Sequence, residues 1–189
     1  MGHPNNMTKQ TAPDFLTALP VSDGLVTVRT MSDADAQAYA DGTDDAQVQR
    51  FAHLPLEKYT AQIVRSMLHG VIADGLRNGT LTVLTIADAN SQAFLGSMVL
   101  FDIQPEGAEL GYWVAPEHRG RGISGRALRL SKKIARSLGW KRLHARTVQD
   151  NLASEKVLLA AGFVQQGPAQ AEQTPAGKVE MGVRYSIEI

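Results

Sequence analysis

Glu109-Leu110-Gly111-Tyr112-Trp113-Val114-Ala115-Pro116-Glu117-His118-Arg119-Gly120-Arg121-Gly122-Ile123-Ser124-Gly125-Arg126-Ala127-Leu128 is the stretch that sets the fold of this chain. Residues 108–114 read as a strand, and Pro116 ends it. A glycine-rich turn follows and opens a helix predicted from about Ile123 to Leu138, with Ala127, Leu130, Ser131, Ile134 and Leu138 at helical spacing. The first turn of a helix has unpaired N–H groups and a partial positive charge. Glycines let a phosphate approach those groups closely, and Arg119, Arg121 and Arg126 add full charges around the same point. A pyrophosphate is the natural occupant. It does not belong to a Walker loop, because no Gly-Lys-Ser/Thr follows. The letters Gly120-x-Gly122-x-x-Gly125 match a dinucleotide fingerprint, but its acidic residue about 20 positions on is missing. Lys141 and Arg142 stand there instead.

Working outward, residues 25–29, 81–87, 94–102, 141–148, 163–166 and 179–187 read as further strands, with 94–102 forming a hairpin with 81–87. Ser32 is expected to cap a short helix through Tyr39, and residues 41–56 read as irregular. A longer helix is expected from Thr60 to Arg77, on the stripe Ile63, Met67, Val71, Ile72. Asp150 or Asn151 caps a helix through Ala161, and Gly162 ends it. Residues 167–178 read as loop. Three strands in succession, then alternating helix and strand, predict an α/β fold. It has a central mixed, mostly antiparallel sheet of about six or seven strands, with helices on both faces. Residues 1–20 are polar with three prolines and are expected to form a loose arm, leaving 21–189 as a single domain.

The 189 residues include 19 Lys and Arg against 19 Asp and Glu, so the net charge is zero. That average conceals a segregation. Residues 119–146 carry ten of the basic side chains and no acidic one, which leaves nine basic against nineteen acidic elsewhere. Such a pattern suits an anionic ligand held at one place. Nucleic acid is not expected as a partner, since the chain lacks interleaved aromatics and an overall basic balance. The absence of cysteine excludes disulfides, zinc–thiolate and iron–sulfur sites, and a cysteine nucleophile. His3, His53, His69, His118 and His144 show no metal-binding spacing and are assigned to surface or packing roles; no metal is expected. No run of about 18 apolar residues suggests a membrane span. The N-terminus has no apolar signal core, and Asn6 stands where a myristoylation signal needs Ser or Thr. A soluble, cytoplasmic protein is expected.

The segment Arg119-Gly120-Arg121-Gly122-Ile123-Ser124 resembles the Arg/Gln-x-x-Gly-x-Gly/Ala motif of the GNAT superfamily, the GCN5-related N-acetyltransferases. Its last position departs, with Gly125 one residue late. About 30 residues on, Asn151-Leu152-Ala153-Ser154-Glu155-Lys156-Val157-Leu158-Leu159-Ala160-Ala161-Gly162-Phe163 is similar to the family's Asn-x-x-Ser/Ala…Gly-Phe segment. The opening Val28-Arg29-Thr30-Met31-Ser32-Asp33-Ala34-Asp35-Ala36 looks like the start of the ribosomal-protein N-terminal acetyltransferase branch. The resemblance covers about residues 25–188.

This resemblance implies a GNAT fold that binds acetyl-CoA as cosubstrate and passes its acetyl group to a primary amine by direct transfer in a ternary complex. The amine would be a peptide or protein N-terminus or a small molecule. Backbone at Trp113 and Val114 would bond the pantetheine arm as an added strand does. The pyrophosphate would sit on Arg119, Gly120, Arg121, Gly122, Ile123, Ser124 and Gly125. Asn151, a preferred N-cap by type, would also face the ligand. Many members carry a thiolate-protonating tyrosine four residues before the Gly-Phe pair. That position is Leu158 here, so Ser154, one turn earlier, is assigned to stabilise the thiolate. A homodimer stays open, and a catalytically idle CoA-binding module is the alternative.

Glu109 is the carboxylate that strand alternation singles out, since it shares a face with Gly111 and Trp113. One reading makes it a base in a small pocket, its pKa raised by desolvation. The other makes it a salt bridge to Arg142 or Arg146 on a neighbouring strand.

Overall fold

The computed structural model describes residues 12–174 and 177–189. Its sheet has nine strands: β1 (Val21–Ser22), β2 (Val26–Thr30), β3 (Thr82–Asp88), β4 (Phe94–Gln104), β5 (Gly107–Val114), β6 (Arg142–Val148), β7 (Val164–Gln165), β8 (Gln170–Gln173) and β9 (Val179–Glu188). They run in the order β1-β2-β3-β4-β5-β6-β9-β7, with β8 also on β9. Every pairing is antiparallel except β5–β6, which is parallel. The sheet is therefore mixed and mostly antiparallel, as expected. The two additional strands are the short β1 and β8, the latter inside the segment read as loop. Gln170–Gln173 lacks the branched and aromatic residues that mark a strand, and β9 recruits it by backbone pairing alone.

The helices cover both faces. On one face α5 (Ile123–Ser137) lies across the sheet and touches α6 (Leu152–Ala160). Its Ile123, Ala127, Leu128, Leu130, Ile134 and Ala135 join Leu84, Ile86, Met98, Leu110, Leu143 and Leu158 in the main core. Burying each of the larger side chains contributes about 1.5–3 kcal/mol. On the other face α1 (Ala36–Thr43), α2 (Ala46–Phe51) and α3 (Ala61–Met67) enclose a smaller core of Ala36, Tyr39, Ala40, Val48, Tyr59, Val64 and Trp113, while α4 (Ala73–Asn78) packs Leu76 against the main core. Tyr39 and Phe94 both meet the Trp113 indole, at centroid separations of 5.3 and 5.6 Å.

Three sequence expectations are refined. Residues 46–51, read as irregular, form α2, because Asp45 caps it by accepting from Gln47 N–H and Val48 N–H at 3.1 Å each. The helix expected from Thr60 to Arg77 is interrupted by a wider turn at Leu68–Ile72, where Gly70 leaves helical geometry. The loose arm ends before residue 15 among the described residues: Phe15 and Ala18 are buried in the main core, and the Phe15 ring meets Trp140 edge-on at 6.0 Å. The first eleven residues of that arm lie outside the described residues.

Candidate active site

The site begins where two strands part. β5 and β6 are in register from Gly107–Arg142 to Leu110–Ala145, and there their pairing ends. Both strands continue, β5 to Val114 and β6 to Val148, with β6 still paired to β9 as far as Val148–Gly182. A wedge opens between them. Ala115 N–H donates to the Leu95 carbonyl at 2.9 Å, so strand alternation turns the amides of Trp113 toward β4 and those of Tyr112 and Val114 into the wedge. The expectation for Trp113 is thereby corrected. Its backbone is spent on β4, its indole is buried in the smaller core, and Tyr112 takes its place on the open edge.

The turn after the wedge is built for close approach. Gly120 and Gly122 have φ of 72° and 73°, and no atom lies within 4 Å of where a side chain would begin. Gly122 is the N-cap of α5 and supplies no capping side chain, so the first amides of that helix, at Ile123, Ser124 and Gly125, face the cleft without one. The arginines divide their work. Arg119 folds back: its Nε donates to the Val114 carbonyl at 3.2 Å, and its Nη2 pairs with Asp45. That hydrogen bond, outweighing partial burial, holds the Asp45 carboxyl below its ordinary value. Arg119 thus braces the turn while lining the cleft. Arg126 is likewise tied to Asp23, at 2.7 Å. Arg121 is exposed beside His118, with Nη1 3.3 Å from Nδ1. Arg129 reaches back along α5, its Nη1 3.6 Å from where a Cβ on Gly125 would stand.

Across the wedge, Asn151 caps α6. Its Oδ1 accepts from Ser154 N–H at 3.1 Å. Ser154 Oγ lies 3.0 Å from the Tyr112 hydroxyl, a bond that spans the gap between β5 and α6. Burial pushes the Tyr112 hydroxyl above its ordinary pKa, against the pull of that bond, so it stays protonated at neutral pH. Leu158, the position of the tyrosine in many GNAT members, is fully buried in the main core. Sequence reading missed Tyr112, because nothing in the linear chain brings residue 112 to residue 154.

Glu109 carries an ion pair in this structure. Arg146 Nε donates to its Oε1 at 2.6 Å, the pairing that the second reading named. Arg146 also binds Glu172 Oε2 at 3.0 Å, and Glu172 holds Arg184 as well. Of the residues singled out in the sequence, Glu109, Trp113, Val114, Arg119, Gly120, Gly122, Ile123, Ser124, Gly125, Asn151 and Ser154 line one cleft of about 790 Å³. Arg121 stands outside its lining. The cleft passes from the glycine turn through the wedge to the α2–α3 side of the sheet.

Residues 26–164 match the family model described as an acetyltransferase (GNAT) domain. The chain belongs to the GNAT acetyltransferase family. Among solved structures, the GNAT chain is similar to RimJ of Mycobacterium smegmatis in complex with CoA-disulfide. The TM-score is 0.76 at 20% identity, over 86% of this chain and 81% of that one. It is also similar to RimL, the ribosomal L7/L12 α-N-protein acetyltransferase in complex with coenzyme A, at 0.75 and 23% over 90% and 97%. A third is spermidine N-acetyltransferase from Vibrio cholerae in complex with CoA and spermine, at 0.73 and 16% over 88% and 96%. At these identities the likeness is one of fold. No curated protein sequence matches the chain. Among the described residues no helix is long and apolar enough to cross a membrane.

Proposed function

We propose that this GNAT chain is an acyl-CoA-dependent N-acetyltransferase that transfers acetyl from acetyl-CoA to a primary amine, directly, within a ternary complex. The observation that carries the reading is the parting of β5 and β6 after Leu110 and Ala145, immediately beside a helix start with no capping side chain. A CoA molecule presents a diphosphate and an extended, amide-bearing arm, and these two features match it in order. Gly120 and Gly122 admit the diphosphate to the amides of Ile123, Ser124 and Gly125, with Arg121 and Arg129 supplying charge. The open amides of Tyr112 and Val114 take the pantetheine arm as an added strand. Asn151 and Ser154 border the arm from α6. Several solved structures of like fold hold CoA or acetyl-CoA, and they include a ribosomal-protein and a spermidine acetyltransferase, which supports the same class of reaction.

When bound, acetyl-CoA supplies a thioester carbonyl open to attack. A backbone N–H of the wedge, near Val114, polarises that carbonyl. The Ser154 hydroxyl, backed by the Tyr112 hydroxyl, stabilises the sulfur as it leaves. Glu109 holds Arg146 on the acceptor wall. No covalent enzyme intermediate is required, in keeping with a chain that has no cysteine. Holding both substrates in line supplies much of the rate, since effective molarities reach about 10⁵ M or more.

Two measurements on Arg121→Glu test this reading. Calorimetry with CoA should show at least about tenfold weaker binding, since each 1.4 kcal/mol is a factor of ten. The loss should shrink at high salt, because an exposed charge acts over a Debye length of roughly 8–10 Å. Thiol release from acetyl-CoA with a panel of amines reports turnover, with no background from the enzyme. No CoA binding by the wild-type chain, or equal binding by the variant, contradicts the cofactor assignment.

A further inference from the structure

The acceptor half of the cleft has three carboxylates in its wall, and each already holds an arginine. Glu109 binds Arg146 and Glu172 binds Arg146 and Arg184. Glu180 binds Arg50 at 3.0 Å, and Arg50 also reaches Asp150. The Arg146 guanidinium on Glu109 favours its ionised form and so makes it a weaker base toward an ammonium. His53 is different. It lines the same cleft, and among the described residues its imidazole has no hydrogen-bond partner. Its backbone is held at φ 50°, a left-handed conformation that histidine tolerates better than most residues and that recurs at functional sites. Apolar side chains make up much of the rest of the lining, Phe51 and Leu54 next to His53 in the chain and Val99 and Phe101 on β4, alongside the paired charges.

We propose that His53 takes the proton from the acceptor's ammonium, and that this acceptor is a monoamine carried on an apolar body. The inference rests on the N-acetyltransferase reading above and deepens it. One proton passes from the ammonium to an imidazole nitrogen, directly or through one water, and frees the nitrogen lone pair. The N–C bond then forms at the thioester carbonyl, the C–S bond breaks, and sulfur departs with the bonding electrons. The second proton, released from nitrogen, ends on that sulfur. The state of His53 suits the task. Burial draws its pKa below the ordinary histidine value. Arg50, Arg146 and Lys178 push the same way, and Glu180 opposes them. The imidazole is therefore neutral at pH 7 and able to accept. A polyamine is disfavoured because its additional cations would find each wall carboxylate already matched by a guanidinium.

The experiment compares 2-phenylethylamine, the dipeptide Phe-Leu amide and spermidine as acceptors, with thiol release as the readout. It uses the full chain and His53→Asn, because asparagine accepts a left-handed backbone. His53→Gln and circular dichroism control for folding. The apolar amines should exceed spermidine in kcat/KM by about tenfold or more. His53→Asn should lower kcat by about a hundredfold, a typical contribution of a general base. Its CoA affinity should stay within about twofold. The wild-type kcat should fall at acid pH with a limb below the ordinary histidine pKa, and that limb should vanish in both variants. Unchanged kcat with the limb intact, or a preference for spermidine, overturns the proposal while leaving the transferase reading in place. CoA binding without thiol release from any amine overturns both.

Discussion

At the level of single residues, one hydrogen bond, between Tyr112 and Ser154, links β5 to α6 beside the wedge. Ser154 is held twice, by its own N–H on Asn151 and by its hydroxyl against Tyr112, so its Oγ is fixed before any ligand arrives. Such preorganisation favours a charge that develops only as the thiolate forms. Ser154→Ala removes the hydroxyl and should lower kcat about tenfold or more, on the scale of about 1.5–3 kcal/mol for a hydrogen bond to a charged group. KM for acetyl-CoA should barely move. Tyr112→Phe should have a smaller effect on kcat, since Ser154 stays in place on Asn151. Steady-state kinetics checks both, and an equal rise in KM with kcat unchanged would make Ser154 a binding residue only. That Ser154 lines the cleft was legible through the resemblance of 151–163 to the GNAT segment. Tyr112 was not, because alternation places it with Leu110 on the core-facing side of β5, and only the fold reveals that α6 crosses there. Glu109 shows the opposite limit. Its face was legible and its partner was one of two arginines considered; the register puts Glu109 opposite His144, midway between them, and Arg142 is taken by Glu188 while Arg146 pairs with Glu109.

Among the elements, β5 joins the two halves of the cleft. One side of it supplies Tyr112 and Val114 amides to the wedge, and its Trp113 indole forms the floor beneath α1. Gly42 on α1 makes that floor possible: a Cβ there would stand 2.6 and 2.7 Å from two indole carbons of Trp113. Gly42→Ala should therefore force the ring or the helix aside, at about 1–3 kcal/mol for an overpacked core. That corresponds to a fall in Tm of about 2–12 °C for a chain of this size. Tryptophan emission should shift with it, since only Trp113 and Trp140 contribute. An unaltered Tm and spectrum would contradict the packing. A second link joins the elements. Arg119 connects the glycine turn to Asp45, the N-cap of α2, and α2 leads into His53. The strand–turn–helix succession around Pro116 was legible because glycine, proline and helical periodicity all agree there. The split of the 60–77 helix at Gly70 was not, because a lone glycine within a periodic stripe does not say whether the helix continues or kinks. Nor was the divergence of β5 from β6, which depends on where α5 returns the chain to the sheet.

Across the whole molecule, charge segregation was visible in the sequence, but its cancellation was not. Of the ten basic residues between 119 and 146, Arg119, Arg126, Lys141, Arg142 and Arg146 pair with acids from distant parts of the chain. The cations without a carboxylate among the described residues are Arg121, Arg129, Lys132, Lys133 and Arg136, all on the glycine turn and α5. Of these, Arg121 stands on the glycine turn and Arg129 reaches back toward it, while Lys132, Lys133 and Arg136 lie in the C-terminal half of α5. The same pairings make the fold acid-sensitive. Asp35 is nearly fully buried, and burial alone would raise its pKa. Two bonds from Arg29, at 2.7 and 2.9 Å, with others from Ser32 N–H and Thr85 Oγ1, outweigh burial and hold it below the ordinary value. Asp23, Asp45 and Glu172 are depressed too. A carboxyl whose pKa is lower folded than unfolded makes the unfolded state bind more protons, so stability rises with pH across that interval. It is fully present above the unfolded value of about 4 and is lost as pH falls through the folded ones. Asp35→Asn should destabilise the chain by about 3–5 kcal/mol at pH 7, because it leaves Arg29 without its buried partner. The variant should also lose stability less steeply than the wild type between about pH 5 and pH 2. Urea unfolding across that range measures both quantities, and parallel curves for the two proteins would remove Asp35 from the acid response.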